Sequence, residues 1–276
     1  MFEDRMLDAD GIRCHVVIDG WRSVSPRFVF KDYDDEIHGP YVRPFLDAEG
    51  KLPGRFACLL VEAPDGPVLV DAGVGAFAGD LDAGHLLERL ADLDIRPWDI
   101  RDVVITHAHA DHVGGLVTPR GDPVFADARH TIHQREAAFW TSSEAESLPG
   151  DAGAPARAAI ATLLDADLLR TVDGHDRIGD RVQVVDAPGH TPGHVAVVVN
   201  GAVLWAGDAI ISPLNATHPD WVSAADMDAA MNGRTRRALF GRAADQALVV
   251  AGSHLPVVGR VVRIEDAFRL DELRPA

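Results

Sequence analysis

The stretch Val103-Val104-Ile105-Thr106-His107-Ala108-His109-Ala110-Asp111-His112-Val113-Gly114-Gly115 decides how this chain is read. It joins a β-branched apolar run, the mark of a buried strand, to three imidazoles and a carboxylate packed into six residues. Where a chain leaves a strand, residues two apart project to the same side, so His107 and His109 are spaced to grip one ion. The turn that follows swings Asp111 and His112 toward a neighbouring ion, and Gly114 and Gly115 ease such a tight turn. For one histidine, a polar surface loop would be the better reading. Four potential ligands in six residues make metal binding the better one.

Working outward, each remaining ligand candidate also follows an apolar run. His190 lies in Ala187-Pro188-Gly189-His190-Thr191-Pro192-Gly193-His194, after Val182 to Asp186. Asp208 follows Val203-Leu204-Trp205-Ala206-Gly207, and His254 follows Leu248 to Ser253. Strand ends gathered at one edge of a sheet would bring these groups together on elements rigid enough to hold ligand geometry. His194, at the head of an apolar run, reads as a partner that orients a ligand. His15, His38, His85, His130, His133, His175 and His218 have no ligand spacing and read as ordinary histidines.

Six runs read as buried strands: Cys58 to Val61, Val68 to Val70, Val103 to Ile105, Val182 to Val185, Val195 to Val199 and Leu248 to Val250. Leu86, Leu90 and Leu93 share a helix face, as do Ile160, Leu163 and Leu164. A third helix is expected to start near Ser223-Ala224-Ala225-Asp226, a capping-box pattern, with Met227, Ala230, Met231 and Ala238 on one side. The strands and helices lack regular βαβ alternation, which points to an α+β fold of packed sheets with helices outside. One domain over residues 1–276 is expected, with two additions to its core: an arm or loop at about 20–56 and a surface loop at about 141–156.

The net charge of −17 disfavours a nucleic-acid partner, because affinity for phosphate backbones comes from Lys and Arg. Two cysteines, Cys14 and Cys58, supply neither a disulfide framework nor a thiolate cluster. Residues 1–8 lack a basic region followed by an apolar stretch, and no apolar run reaches membrane-spanning length, so a soluble cytoplasmic protein is expected.

The order His-X-His-X-Asp-His, Gly-His, Gly-Asp and a final His, from His107 to His254, resembles the metallo-β-lactamase superfamily. Val70-Asp71-Ala72-Gly73 matches that family's early Asp-X-Gly element, whose Asp is usually structural or behind a ligand. The resemblance implies an αββα sandwich with two metal ions at one edge. His107, His109 and His190 would hold the first ion and Asp111, His112 and His254 the second, with Asp208 bridging. It further implies hydrolysis by a metal-bridging hydroxide, with Asp111 and Asp208 as the catalytic carboxylates. Nitrogen and oxygen donors favour zinc and also admit iron, manganese or cobalt.

Departures from subfamily patterns narrow the reading. Zinc β-lactamases with two ions generally carry Cys or Ser at the place of Asp208, and many lactonases carry a Tyr where this chain has Ile211. The segments around His218-Pro219-Asp220-Trp221, Arg234 to Arg237 and His254 to Val261 are similar to the methyl-parathion-hydrolase-like branch. An ester, lactone or phosphotriester is the expected substrate. A glyoxalase-type thioesterase, an iron-dependent persulfide dioxygenase and a non-catalytic metal-binding scaffold stay open as alternatives. Partners are then a small-molecule substrate and, in assembly, a homodimer, with neither nucleic acid nor membrane. Phe28, Trp221 and Ile211 are the expected pocket residues, the first two because large aromatics in loop-like sequence suit an apolar wall.

Overall fold

Every run expected to form a buried strand does so, with ends that differ by a residue or a longer extension. The computed structural model describes residues 4–273; residues 1–3 and 274–276, the ends of the expected single domain and part of the stretch 1–8 read above for a leader pattern, lie outside the described residues. The first half of the chain builds one seven-stranded sheet in sequential order: β1 (Arg5–Ala9), β2 (Ile12–Val24), β3 (Leu52–Val61), β4 (Val68–Val70), β5 (Asp102–Val104), β6 (Arg129–His133) and β7 (Leu169–Val172). The second half builds the other from β8 (Arg177–Ile178), β9 (Val182–Asp186), β10 (Val195–Val199), β11 (Val203–Trp205), β12 (Val249–Ala251), β13 (Gly259–Ile264) and β14 (Ala267–Glu272).

Both faces of the central strands are apolar because both are covered. In β3, Ala57, Leu59 and Val61 point between the sheets, where they meet Val195, Val197 and Val199 of β10. Cys58 and Leu60 point the other way, into a core with Leu86 and Leu90 of one helix and Ile160 and Leu163 of another. Ala196 and Val198 pack outward against Leu239 and Phe240 of helix Ala229–Asp245. Period-two alternation thus yields three stacked cores in an αββα sandwich, each fully buried Val or Leu contributing roughly 1.5–3 kcal/mol of transfer free energy.

Strand direction then sets where function is built. β4, β5 and β6 run parallel, so their C-terminal ends share an edge. β9 and β11 both lie antiparallel to β10, and β12 is parallel to β11, so their C-terminal ends also coincide. At this edge the Val195 N–H donates to the Thr106 carbonyl over 2.9 Å, tying one sheet to the other.

Helix faces depart from the sequence reading in three places. Leu164 is exposed although Ile160 and Leu163 are buried, and Leu93 falls just beyond helix Leu86–Asp92, also exposed. The third helix starts at Ala229 with Asp228 as its cap, because Ser223 to Asp226 closes a turn instead: the Ser223 N–H donates to Asp226 Oδ2 over 2.9 Å. Its buried face carries Asn232, Thr235, Arg236, Leu239, Phe240 and Ala243, while Met227, Ala230 and Ala238 are exposed. Residues 141–156 form short helical turns, Ser143–Glu146 and Pro149–Asp151, and the start of Ala154–Asp165, rather than an open loop. The ends of the 20–56 segment belong to β2 and β3; between them lie three short helical turns, Pro26–Val29, Gly39–Val42 and Arg43–Phe45.

Gly114 and Gly115 have a different reason from the one expected. Gly114 has φ −62°, which any residue adopts. The need is for close approach: a Cβ would stand 2.1 Å from the Val74 carbonyl oxygen at Gly114 and 2.0 Å from that of Ala72 at Gly115. Replacing Gly115 by Ala should therefore push the metal-motif loop away from residues 72–74 and destabilise the protein by about 1–3 kcal/mol, read from its urea midpoint. An unchanged midpoint would show that these segments separate freely.

Candidate metal centre

All seven candidates, His107, His109, Asp111, His112, His190, Asp208 and His254, arrive at the shared edge. Their donor atoms fall into three groups whose members lie within 4.8 Å of one another: His107, His109 and His190; His107, His112 and Asp208; and Asp111, His112 and His254. His107, His112, His190 and Asp208 are buried, whereas His109, Asp111 and His254 are partly exposed.

The ring nitrogens that face away from the cluster are already engaged. His112 Nδ1 is 2.9 Å from Asp71 Oδ2, His190 Nδ1 is 2.8 Å from Asp226 Oδ1, and His254 Nδ1 is 2.7 Å from the Arg55 carbonyl oxygen. Thr106 Oγ1 gives its proton to Asp71 and so accepts from His107 Nδ1 over 3.1 Å. With Nδ1–H donated outward, each of these four rings presents a bare Nε2 inward in its neutral form. His109 turns the opposite nitrogen: its Nδ1 lies 3.0 Å from both His107 Nε2 and His190 Nε2. One proton there serves only one neighbour at a time. Buried polar atoms without a hydrogen-bond partner, His112 Nε2 and Asp208 Oδ1, sit 3.4 Å apart. Convergent lone pairs and partnerless polar atoms are what a cation site requires.

Electrostatics divide the cluster. Burial and the neighbouring His112 hold His107 well below the ordinary imidazole range; burial and His190 lower His109 to about 3. These rings are neutral donors at physiological pH. Burial alone would also lower His254, but Asp208 and Asp111 override it and raise it to about 9. His112 is raised for the same reason, by Asp208, Asp71 and Asp111 against the pull of burial. Asp111 and Asp208 are correspondingly depressed, because His112 and His254 outweigh their burial.

His194 and Asp71 stand behind the cluster. His194 Nδ1 donates to the Ala187 carbonyl over 3.1 Å, which leaves Nε2 to accept the Asp208 backbone N–H over 3.0 Å. Burial lowers His194 to about 3, so that tautomer persists. Asp71, itself held at φ 64°, accepts from the Thr106 N–H and hydroxyl as well as from His112.

Two supporting groups escaped the sequence reading. Glu136 is buried and accepts four hydrogen bonds: from Ala108 N–H (2.9 Å) and Trp140 Nε1–H (2.7 Å) on Oε1, and from Thr191 Oγ1–H (2.7 Å) and Gly193 N–H (2.9 Å) on Oε2. It therefore ties the His107 loop to the His190 loop. Asp226 faces His190 and is itself held by the Asn232 amide and Arg236 guanidinium. The available signal for Glu136 was an acid four residues before Trp140 on a helix; for Asp226 it was only its place in a supposed cap.

The cluster stands at the floor of a cavity of about 410 Å³ whose lining includes Phe28 and Ile211. Trp221 does not line it. That ring stacks on His218 at 3.9 Å and meets Phe30 edge-on at 5.5 Å, bracing the wall from behind. Trp140 and Trp205 are core residues.

A sequence profile described as Metallo-beta-lactamase superfamily matches residues 53–254. A probable metallo-hydrolase of Mycobacterium tuberculosis is 34% identical over 182 residues, covering 55% of each chain, so this chain spans about half the length of that curated relative. Among solved structures, a hydrolase of the β-lactamase superfamily called AbOPH superposes with TM-score 0.88 at 23% identity, over 100% of this chain and 99% of that one. A dizinc quorum-quenching lactonase, AidC, solved with its product N-hexanoyl-L-homoserine, superposes with TM-score 0.85 at 24% identity and the same coverage. At these identities the likeness is one of fold.

Glu136→Gln keeps the shape of the side chain but leaves one oxygen where four donors need two. Two donors would then face an amide NH2, which should cost about 2–4 kcal/mol of stability in chemical denaturation. A loss below roughly 0.5 kcal/mol would mean that the two loops hold together without this carboxylate.

Proposed function

This chain belongs to the metallo-β-lactamase superfamily, and we propose that it is a dinuclear metal-dependent hydrolase of esters, lactones or phosphotriesters. The observation that carries this reading is the convergence of seven nitrogen- and oxygen-donor side chains, of which His109, Asp111, His190, Asp208 and His254 line the floor of an apolar-walled cavity. On this reading His107, His109 and His190 would hold one ion and Asp111, His112 and His254 the other, with Asp208 a ligand available to both. The donor set favours zinc. Two divalent ions bound there supply Lewis acidity and lower the pKa of water toward neutrality.

The chain's own residues do the rest. Outward-donating Nδ1 atoms fix the rings, and His194 fixes the backbone of Asp208. Asp111 lines the cavity, which supports reading it as the carboxylate that takes up or returns a proton. Phe28, Phe45, Ile211, Leu214 and Val257 exclude water from it and favour a neutral reacting group. Ile211 offers no hydroxyl to a lactone carbonyl, so substrate orientation falls to the cavity shape.

Metal analysis joined to hydrolysis of lactones, aryl esters, phosphotriesters and thioesters tests the proposal; preference for thioesters would replace it with the thioesterase reading. Asp208→Ala should lose bound metal and at least a hundredfold in kcat/KM, since about 3 kcal/mol of charge stabilisation goes with it. Wild-type hydrolysis by a metal-depleted Asp208→Ala protein would reject the mechanism.

Proton competition gives a second expectation. His254 titrates at about 9 before metal binds, so its neutral, ligating form grows scarcer as pH falls. His109, at about 3, carries no such penalty. Lowering pH from about 8 to 6 should weaken binding beside His254 by up to tenfold per unit for each proton displaced. Zinc content should pass from two ions toward one. Equal loss of both ions across that range, by chelator competition, would contradict the division.

A further inference from the structure

Among the described residues that line the cavity, Arg22 is the one Lys or Arg. Its guanidinium lies 5.0 Å from the ring centres of both Phe28 and Phe56, and Phe56 in turn meets the His254 ring edge-on at 5.7 Å. One aromatic ring therefore separates this cation from the metal cluster.

Arg22 is half-buried, its backbone paired with Gly54 in the sheet, and its side chain has neither a hydrogen bond nor an ion pair with any described residue. Among the described residues the other basic side chains without such a partner, Lys31, Lys51 and Arg120, are exposed, whereas Arg22 is not. Arg13, Arg43, Arg101, Arg129, Arg157 and Arg237 all have carboxylate partners. Among the described residues the acids in the cavity lining are Asp111 and Asp208, both in the metal cluster. Contact with aromatic faces holds the guanidinium plane yet leaves its edge N–H groups free. Such a fork suits a carboxylate bidentately, and the apolar wall around it strengthens the pairing.

We propose that Arg22 is a specificity subsite that binds a carboxylate on the non-reacting end of the substrate. The preferred substrate is then an ester or lactone with a neutral scissile group and an anionic tail separated from it by a short apolar spacer. This rests on the hydrolase reading for the reaction, but the binding claim stands apart from it.

The test uses zinc-loaded protein and two probes of equal chain length, adipic acid monoamide and hexanamide, with dissociation constants from ligand-observed NMR. The carboxylate probe should bind at least tenfold tighter to the wild type. Arg22→Met, which keeps an apolar stem against both rings, should erase the difference, and Arg22→Lys should restore part of it. The kcat/KM ratio of mono-aryl adipate to aryl hexanoate should follow the same order. Equal binding of the two probes by the wild type, or a preference retained in Arg22→Met because the carboxylate sits on the metal cluster, overturns the subsite. Arg22-dependent binding without hydrolysis of either ester leaves the subsite in place and rejects the ester and lactone chemistry instead.

Discussion

The structure depends on one electrostatic constraint: five imidazoles and two carboxylates must point their donor atoms at one another at a sheet edge, largely out of water. Unshared, such a cluster is repulsive and poorly solvated. Its geometry survives because four rings spend Nδ1 on outside acceptors, Asp71, Asp226, the Arg55 carbonyl and the Thr106 hydroxyl. Each acceptor is anchored in turn. Asp71 leaves β4 in a left-handed conformation, and Asp226 is pinned between Asn232 and Arg236. The parallel strands supply the common edge, and the hydrogen bond from Val195 to Thr106 keeps the two sheets aligned there.

What was legible in the sequence follows from range. The ligands were readable because each sits within a few residues of an apolar run, and a strand end is a local feature. Packed sheets were readable because the runs lack regular βαβ alternation, and the αββα order came from the family resemblance; β3 and β10, apolar on both faces, fit that doubly covered arrangement. Glu136 and Asp226 were not readable, because the ligand-loop groups they hold lie 28 to 57 residues from Glu136 and 36 from Asp226. The third helix misled for the same reason. Its buried side carries Asn232 and Arg236, polar residues that serve Asp226, so hydrophobic periodicity pointed at Met227 and Ala238 on the wrong face.

The glycines show the same limit in another form. Glycine next to a metal motif reads as a turn, since left-handed φ is its common use. At Gly114 and Gly115 the backbone is ordinary, and the absent side chain makes room for the carbonyls of Val74 and Ala72. Gly193 is similar: a Cβ there would stand 2.2 Å from the Glu136 nitrogen. Close approach of two segments distant in sequence leaves no local signature, although it sets how tightly the ligand loops pack.

The division between floor and wall has a functional consequence. The floor stands on strand ends, whereas much of the wall comes from helical turns of three or four residues that have little stability alone. Those turns are held from outside. Lys31 N–H donates to the Val222 carbonyl, Ala224 N–H and Ser223 Oγ–H donate to the Phe28 carbonyl, and Trp221 packs against Phe30, His38 and Tyr41. Ser223 also lies three residues from Asp226, which orients His190, so the brace of the wall and the support of the floor share one turn. Substitutions at Phe28 or Phe45 therefore reshape the cavity without reaching a donor atom, while substitutions in the 221–226 turn reach both. Specificity in this fold is free to change on one side of that turn and is tied to the metal centre on the other.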